Sequence, residues 1–167
     1  FASTTGEAIQ LYEGSNITIA SSTIVDSFDS DAIGIYDGST LNISSTTIDK
    51  VHDGNAIGVY DSRVVITDSV VSNVYNSDGI GIYDSTLNIS SSTIENVSGD
   101  ALGLYDTDST LTNVTVQNGE NDGIIVSGGN ATISGSTVSG FEEGTGISID
   151  FPDSTVIISD TEVSGNG

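Results

Sequence analysis

The chain has 167 residues, a length that fits one domain; 35 % of them are hydrophobic and none is cysteine. Its 24 acidic residues against 2 basic ones give a formal net charge of −22, which argues against nucleic acid and anionic membrane surfaces as partners. No stretch is long and apolar enough to cross a bilayer, and without cysteine no disulfide contributes to stability.

Read from the N-terminus, one short phrase keeps returning. It starts as EAIQLYE at Glu7, then DAIGIYD at Asp31, NAIGVYD at Asn55, DGIGIYD at Asp78 and DALGLYD at Asp100. Weaker copies begin at Asp122 and, as TGISIDF, at Thr145, so seven units follow one another at steps of 22–24 residues. A period of that length marks a solenoid.

Within each unit the apolar residues alternate. In the second unit Ile33 and Ile35 flank Gly34, Leu41 and Ile43 flank Asn42, and Ile48 and Val51 follow before an acidic turn. The fourth unit repeats this with Ile80, Ile82, Leu87, Ile89, Ile94 and Val97. Period-two alternation, broken by Gly, Asp, Ser and Asn, predicts three short strands per unit. Helix signals are missing, and Ser, Thr, Val and Ile favour strands. Three strands per 22–24 residues make one coil of a parallel β-helix. Coils stacked at about 4.8 Å bury aliphatics that no single coil could bury alone. A left-handed hexapeptide helix would need a shorter period, and a leucine-rich repeat would need a register that is missing here.

The stretch GDALGLYDTDSTLTNVTVQNGENDGIIVSGGNATISGSTVSG, residues 99–140, resembles the right-handed parallel β-helix repeats of the pectate-lyase-like superfamily. The expected fold is therefore all-β: a single right-handed parallel β-helix of about seven coils over residues 1–167. The resemblance implies no single activity. The superfamily holds polysaccharide lyases, hydrolases and epimerases, phage tailspikes and non-catalytic surface proteins.

Two units depart from the pattern, with Thr107 and Asp108 in the fifth and Phe151 to Asp153 in the seventh. Both are expected to be loops on one side of the solenoid, either a ligand-contacting rim or neutral drift.

If Ile33 and Ile35 point inward, Gly34 and Tyr36 point outward. Tyr12, Tyr36, Tyr60, Tyr83 and Tyr105 would then form one outer column beside glycines 34, 58, 81 and 103. The tyrosines read as an aromatic ladder, as a flat sugar-binding face beside a shallow glycine trough, or as a protein contact. Asp31, Asn55, Asp78, Asp100 and Asp122 recur at one turn, and Asp37, Asp61, Asp84 and Asp106 at another. Stacked carboxylates repel one another. They are either Asx turns that cap the strands or Ca²⁺ ligands, and the candidate metal set is Asp31, Asp53, Asp78, Asp100 and Asp122.

Sequons at Asn16, Asn42, Asn88, Asn96, Asn113 and Asn130 are candidate glycan acceptors. A threonine column (Thr23, Thr47, Thr93, Thr115, Thr137) is broken by Val70, and its neighbouring row is mixed, which ordinary strand propensity explains. An active site, if there is one, would be sought at His52, Asp53, Tyr60 and Arg63; Lys50 and Arg63 are the only cationic groups besides His52, which reads as a solvated turn residue.

The expectation is a non-catalytic extracellular or cell-surface module of a bacterial or archaeal adhesive or fibre-forming protein, binding glycans or partner subunits. The alternative is a carbohydrate-active β-helix. The chain begins at Phe1 and shows no capping helix at either end. It is therefore expected to be part of a longer protein or to associate end to end.

Overall fold

The computed structural model describes residues 2–150 and 154–167. After β1 (Ala2–Thr5), the first coil is β2 (Ile9–Leu11), β3 (Asn16–Ala20) and β4 (Thr23–Phe28). The second is β5 (Ile33–Ile35), β6 (Thr40–Ser44) and β7 (Thr47–His52); the third is β8 (Ile57–Tyr60), β9 (Arg63–Thr67) and β10 (Val70–Tyr75). The fourth is β11 (Ile80–Tyr83), β12 (Thr86–Ser90) and β13 (Thr93–Val97). In the fifth and sixth, the first two strands fuse, giving β14 (Leu102–Thr112) with β15 (Thr115–Gln117), then β16 (Ile124–Ser134) with β17 (Thr137–Ser139). The seventh is β18 (Ile147–Ile149), β19 (Thr155–Ser159) and β20 (Glu162–Ser164).

Every pairing is parallel and joins a strand to its equivalent one coil away. This is the expected parallel β-helix of about seven turns. Two differences from the sequence reading stand out. Strand β1 pairs with β4, so a third-column strand precedes the first complete coil. The fifth unit has no loop at Thr107: that residue is buried inside β14, and its hydroxyl donates to the Tyr105 carbonyl at 2.9 Å. The seventh unit's departure at residues 151–153 lies outside the described residues.

The core is one continuous aliphatic column. Ile33, Ile35, Leu41, Ile43, Ile48 and Val51 are each at most 2 % exposed, and so are their equivalents Ile80, Ile82, Leu87, Ile89, Ile94 and Val97. One core member escaped the periodicity argument. Phe141 is fully buried, and its ring occupies the space left by glycines 119 and 123 one coil earlier.

The corners explain the abundance of Ser, Asp and Asn. Ser21, Ser45, Asp68, Ser91, Asn113, Gly135 and Asp160 form a column with φ between 48° and 59°. Each coil must turn there in the left-handed region, which Asn, Asp and Gly tolerate best. Beside this column runs a ladder of buried hydroxyls. Thr46 N donates to Ser69 Oγ and Ser69 N to Ser92 Oγ, both at 3.1 Å, while each hydroxyl donates to the carbonyl two residues before it. A second ladder links Ser15, Ser39, Ser62 and Ser85 in the same way. Among the described residues no buried side-chain nitrogen or oxygen lacks a partner, as a low-dielectric interior requires.

Candidate functional site

The five tyrosines of the repeated phrase form a continuous stack. Centroids of successive rings, from Tyr12 through Tyr36, Tyr60 and Tyr83 to Tyr105, lie 4.8, 5.3, 4.9 and 4.8 Å apart, with planes within 13° of parallel. The separation follows from strand spacing, since parallel pairing puts identical residues one coil apart. Each inner ring therefore turns its faces to its neighbours and only its edge and hydroxyl outward. Tyr36 donates its hydroxyl to Glu7 Oε1 at 2.7 Å. Burial, then the hydrogen bond to Glu7 and its negative charge, push the Tyr36 hydroxyl well above the usual phenol range. Tyr105 is pushed up to about 12 by burial and by the charges around it, Asp78 first.

The glycine column beside these rings is not an open trough. Glycines 34, 58, 81 and 103 are all buried. The Asp31 carboxylate lies over Gly58, Glu7 over Gly34 and the Asn55 amide beside Gly81, and the rings of Tyr36, Tyr83 and Tyr105 lean over the glycines of their own coils. A side chain at the glycine position would meet these groups, so the column makes room for the turn residues of the coil before.

Those turn residues form a second ladder. Asp31 Oδ1 accepts from Asn55 N at 2.8 Å, Asn55 Oδ1 from Asp78 N at 3.2 Å, and Asp78 Oδ1 from Asp100 N at 2.9 Å. Asp100 Oδ1 accepts from Asp122 N at 3.2 Å, and Asp122 Oδ1 from Thr145 N at 2.6 Å. Each side chain thus caps the equivalent backbone amide of the next coil. Burial raises the Asp31 carboxyl to about 6, against the lowering effect of the Asn55 amide and with help from Glu7 and Asp78. Burial raises Asp78 and Asp100 as well.

Of the candidate metal set, Asp31, Asp78, Asp100 and Asp122 share this ladder. Asp53 lies elsewhere, after β7, where its Oδ1 accepts from Asn76 Nδ2 at 3.0 Å. Among the described residues no three acidic or histidine side chains converge on a point that could hold a metal ion. The second acidic column is exposed, and Asp37, Asp61, Asp84 and Asp106 have φ between 47° and 56°. Left-handed backbone at the corner accounts for Asp there.

The candidate catalytic groups are dispersed. Arg63 opens β9 on the second column, Tyr60 is inside the tyrosine stack, and Lys50 is exposed on the third column with φ 57°. His52 corrects the reading of a solvated turn residue. It ends β7, and its ring is stacked between Phe28 and Tyr75 with centroids 4.8 and 4.7 Å away. Residues 28, 52 and 75 are in register, a fact their differing identities hide from a search for repeated residues. The sequon residues Asn16, Asn113 and Asn130 are exposed, and Asn42 and Asn88 sit outward on the second column. Asn96 has φ 57° and donates to Asn73 Oδ1 at 3.4 Å.

A family model described as a right-handed β-helix region matches residues 78–167. No curated protein matches the chain. Among solved structures, a mutant of the periplasmic alginate epimerase AlgG is similar, with a TM-score of 0.61 at 15 % identity. The match covers 93 % of this chain and 47 % of that one, so the chain spans about half the epimerase's length. At this identity the likeness is one of fold.

Proposed function

The chain belongs to the right-handed β-helix family, and from that premise we propose that it is a non-catalytic structural module: a rigid acidic rod displayed outside the cytoplasm by an adhesive or fibre-forming surface protein. The observation that carries this reading is the commitment of the recurring tyrosines, of one column of turn carboxylates and of His52 to the scaffold. The tyrosines face one another, the turn carboxylates cap backbone amides, and His52 is held between two rings. General acid–base chemistry needs a base and an acid facing one reacting centre. Here Arg63 and His52 sit on different columns. The periplasmic setting of the similar epimerase supports a place in or beyond the envelope.

The last coil ends in an open aliphatic edge. Ile149, Ile158 and Val163 are 50, 45 and 47 % exposed, although they continue the core positions of Val126, Ile133 and Val138. A stacked coil would cover them and pair the open edges of β18, β19 and β20.

The test is incubation with alginate, pectate and neutral β-glucan, followed by reducing-end assay, absorbance of unsaturated products and proton NMR of uronate configuration. No turnover of any polymer is expected. Turnover that falls on Arg63→Ala or His52→Ala would instead make the chain a carbohydrate-active β-helix.

A further inference from the structure

The second aromatic stack ends abruptly, and the groove beyond its last ring has the shape of a site. Phe28, His52 and Tyr75 occupy three successive tiers at 4.7–4.8 Å. Val74 pairs with Val97, which puts Ser98 in the tier after Tyr75, and Glu120 N donates to the Val97 carbonyl at 3.0 Å, which puts Glu120 in the tier after that. His52 covers one face of the Tyr75 ring. The other faces a tier holding only a serine, and Tyr75 is 42 % exposed. From Tyr75 to Glu120 is two coils, about 9–10 Å, which is room for one flat ring between them.

The walls of this gap are polar. Asn73, Asn96 and Asn118 stand in a column at φ 55–58° beside the ring stack. Asn73 Nδ2 donates to Asp49 Oδ1 at 2.7 Å and Asn96 Nδ2 to Asn73 Oδ1 at 3.4 Å, so each amide points its donors backward along the axis. The amide ladder stops there: among the described residues the Asn118 side chain has no hydrogen-bond partner, and it lines one groove with Tyr75, Asn96, Ser98 and Glu120.

We propose that this gap binds one neutral pyranose, with its C–H face stacked on the free face of Tyr75 in the empty tier beside Ser98. Its hydroxyls donate to the Glu120 carboxylate and to Asn96 Oδ1 and accept from the Asn118 amide. An aromatic face paired with a few convergent polar groups is the usual form of a small-ligand site. Charge selects the class of sugar. Glu142 and Glu143 continue the groove beyond Glu120, so a uronate would bring its carboxylate into a field of the same sign. A gap one ring high that opens sideways fits a chain end or a branch better than the middle of a chain. The proposal rests on the non-catalytic reading above and adds to it the ligand class that the rod would hold.

The test uses purified protein with cellotetraose and mannotetraose as neutral probes and an alginate tetrasaccharide as the acidic one, followed by NMR titration of the tyrosine ring signals and by calorimetry. At least one neutral probe is expected to bind and to shift Tyr75, with the acidic probe about tenfold weaker or worse. Tyr75→Ala should weaken binding at least tenfold. Ser98→Tyr should abolish binding, because the new ring fills the tier and extends the stack, while giving up the hydrogen bond that Ser98 Oγ accepts from Asn76 N. This second variant keeps the test decisive should Tyr75→Ala fail to fold. Failure of both neutral probes to bind, equal binding of the acidic probe, or undiminished binding by Ser98→Tyr would overturn the site while leaving the rod intact. Conversion of a bound probe to product would overturn the non-catalytic reading and leave the site standing.

Discussion

Asp31 shows how one residue can be both a structural cap and a liability. Its carboxylate accepts the Asn55 amide and fills the space over Gly58, yet burial and its acidic neighbours raise its carboxyl to about 6. A raised folded pKa means that the folded chain holds this proton more tightly than the unfolded chain does. Stability therefore falls as pH rises from about 4 through about 6, and the penalty is complete above that. The third unit already carries the alternative, since Asn55 does the same capping without charge. Asp31→Asn is expected to raise stability at pH 7 by on the order of 1 kcal/mol and to have little effect at pH 4. Urea unfolding at both pH values measures this. Equal effects at the two would show that the carboxylate's charge is not what costs stability. The column of Asp and Asn was legible in the sequence because identical residues recur at a fixed step. That they cap the next coil's amide was not, because the donor lies 22–24 residues away.

Single strands in this fold are too short to be stable, and the side-chain ladders between equivalent strands make up the difference. In the tyrosine stack, Tyr60 contacts Tyr36 and Tyr83, whereas Tyr12 contacts Tyr36 alone. Tyr60→Ala should therefore cost about 1 kcal/mol more than Tyr12→Ala, the value of one stacked pair. Thermal or urea melting of both variants checks it, and equal costs would mean that the second stacked ring adds nothing to stability. Which residues form the ladder was readable from the repeat. The direction the rings face was not: the sugar-platform reading needs faces turned to solvent, and the strand spacing turns them toward one another. The glycine column reads as a trough in the sequence for a related reason. Its depth is decided by Asp31, Glu7 and Asn55 reaching across from the preceding coil, a contact that alternation within one strand does not encode.

On the scale of the whole molecule, a formal net charge of −22 works against any contact between copies, and the proposed end-to-end association would have to overcome it through apolar contact. Added salt shortens the range of the repulsion and leaves the apolar contact in place. Sedimentation and negative-stain microscopy are therefore expected to show single particles at low ionic strength and longer rods at high ionic strength. Particles that stay single at every salt concentration would remove the end-to-end contact from the proposal. Calcium compared with sodium at equal ionic strength separates screening from binding: only rods that form in calcium and vanish with chelator would make the acidic columns cation sites. The sequence alone determined the architecture, about seven coils of parallel strands around an aliphatic column, because repeat length and period-two alternation are local properties of the chain. Only the tertiary structure decided what the outer residues do. Phe141 is core because glycines 119 and 123 leave it room, and His52 is a ring in a stack because Phe28 and Tyr75 fall in register with it. The Tyr75 face opens onto a gap because the residue one coil on is serine. Each of these depends on which residues the coil rise brings face to face, and that is set by the stacking of coils rather than by any one of them.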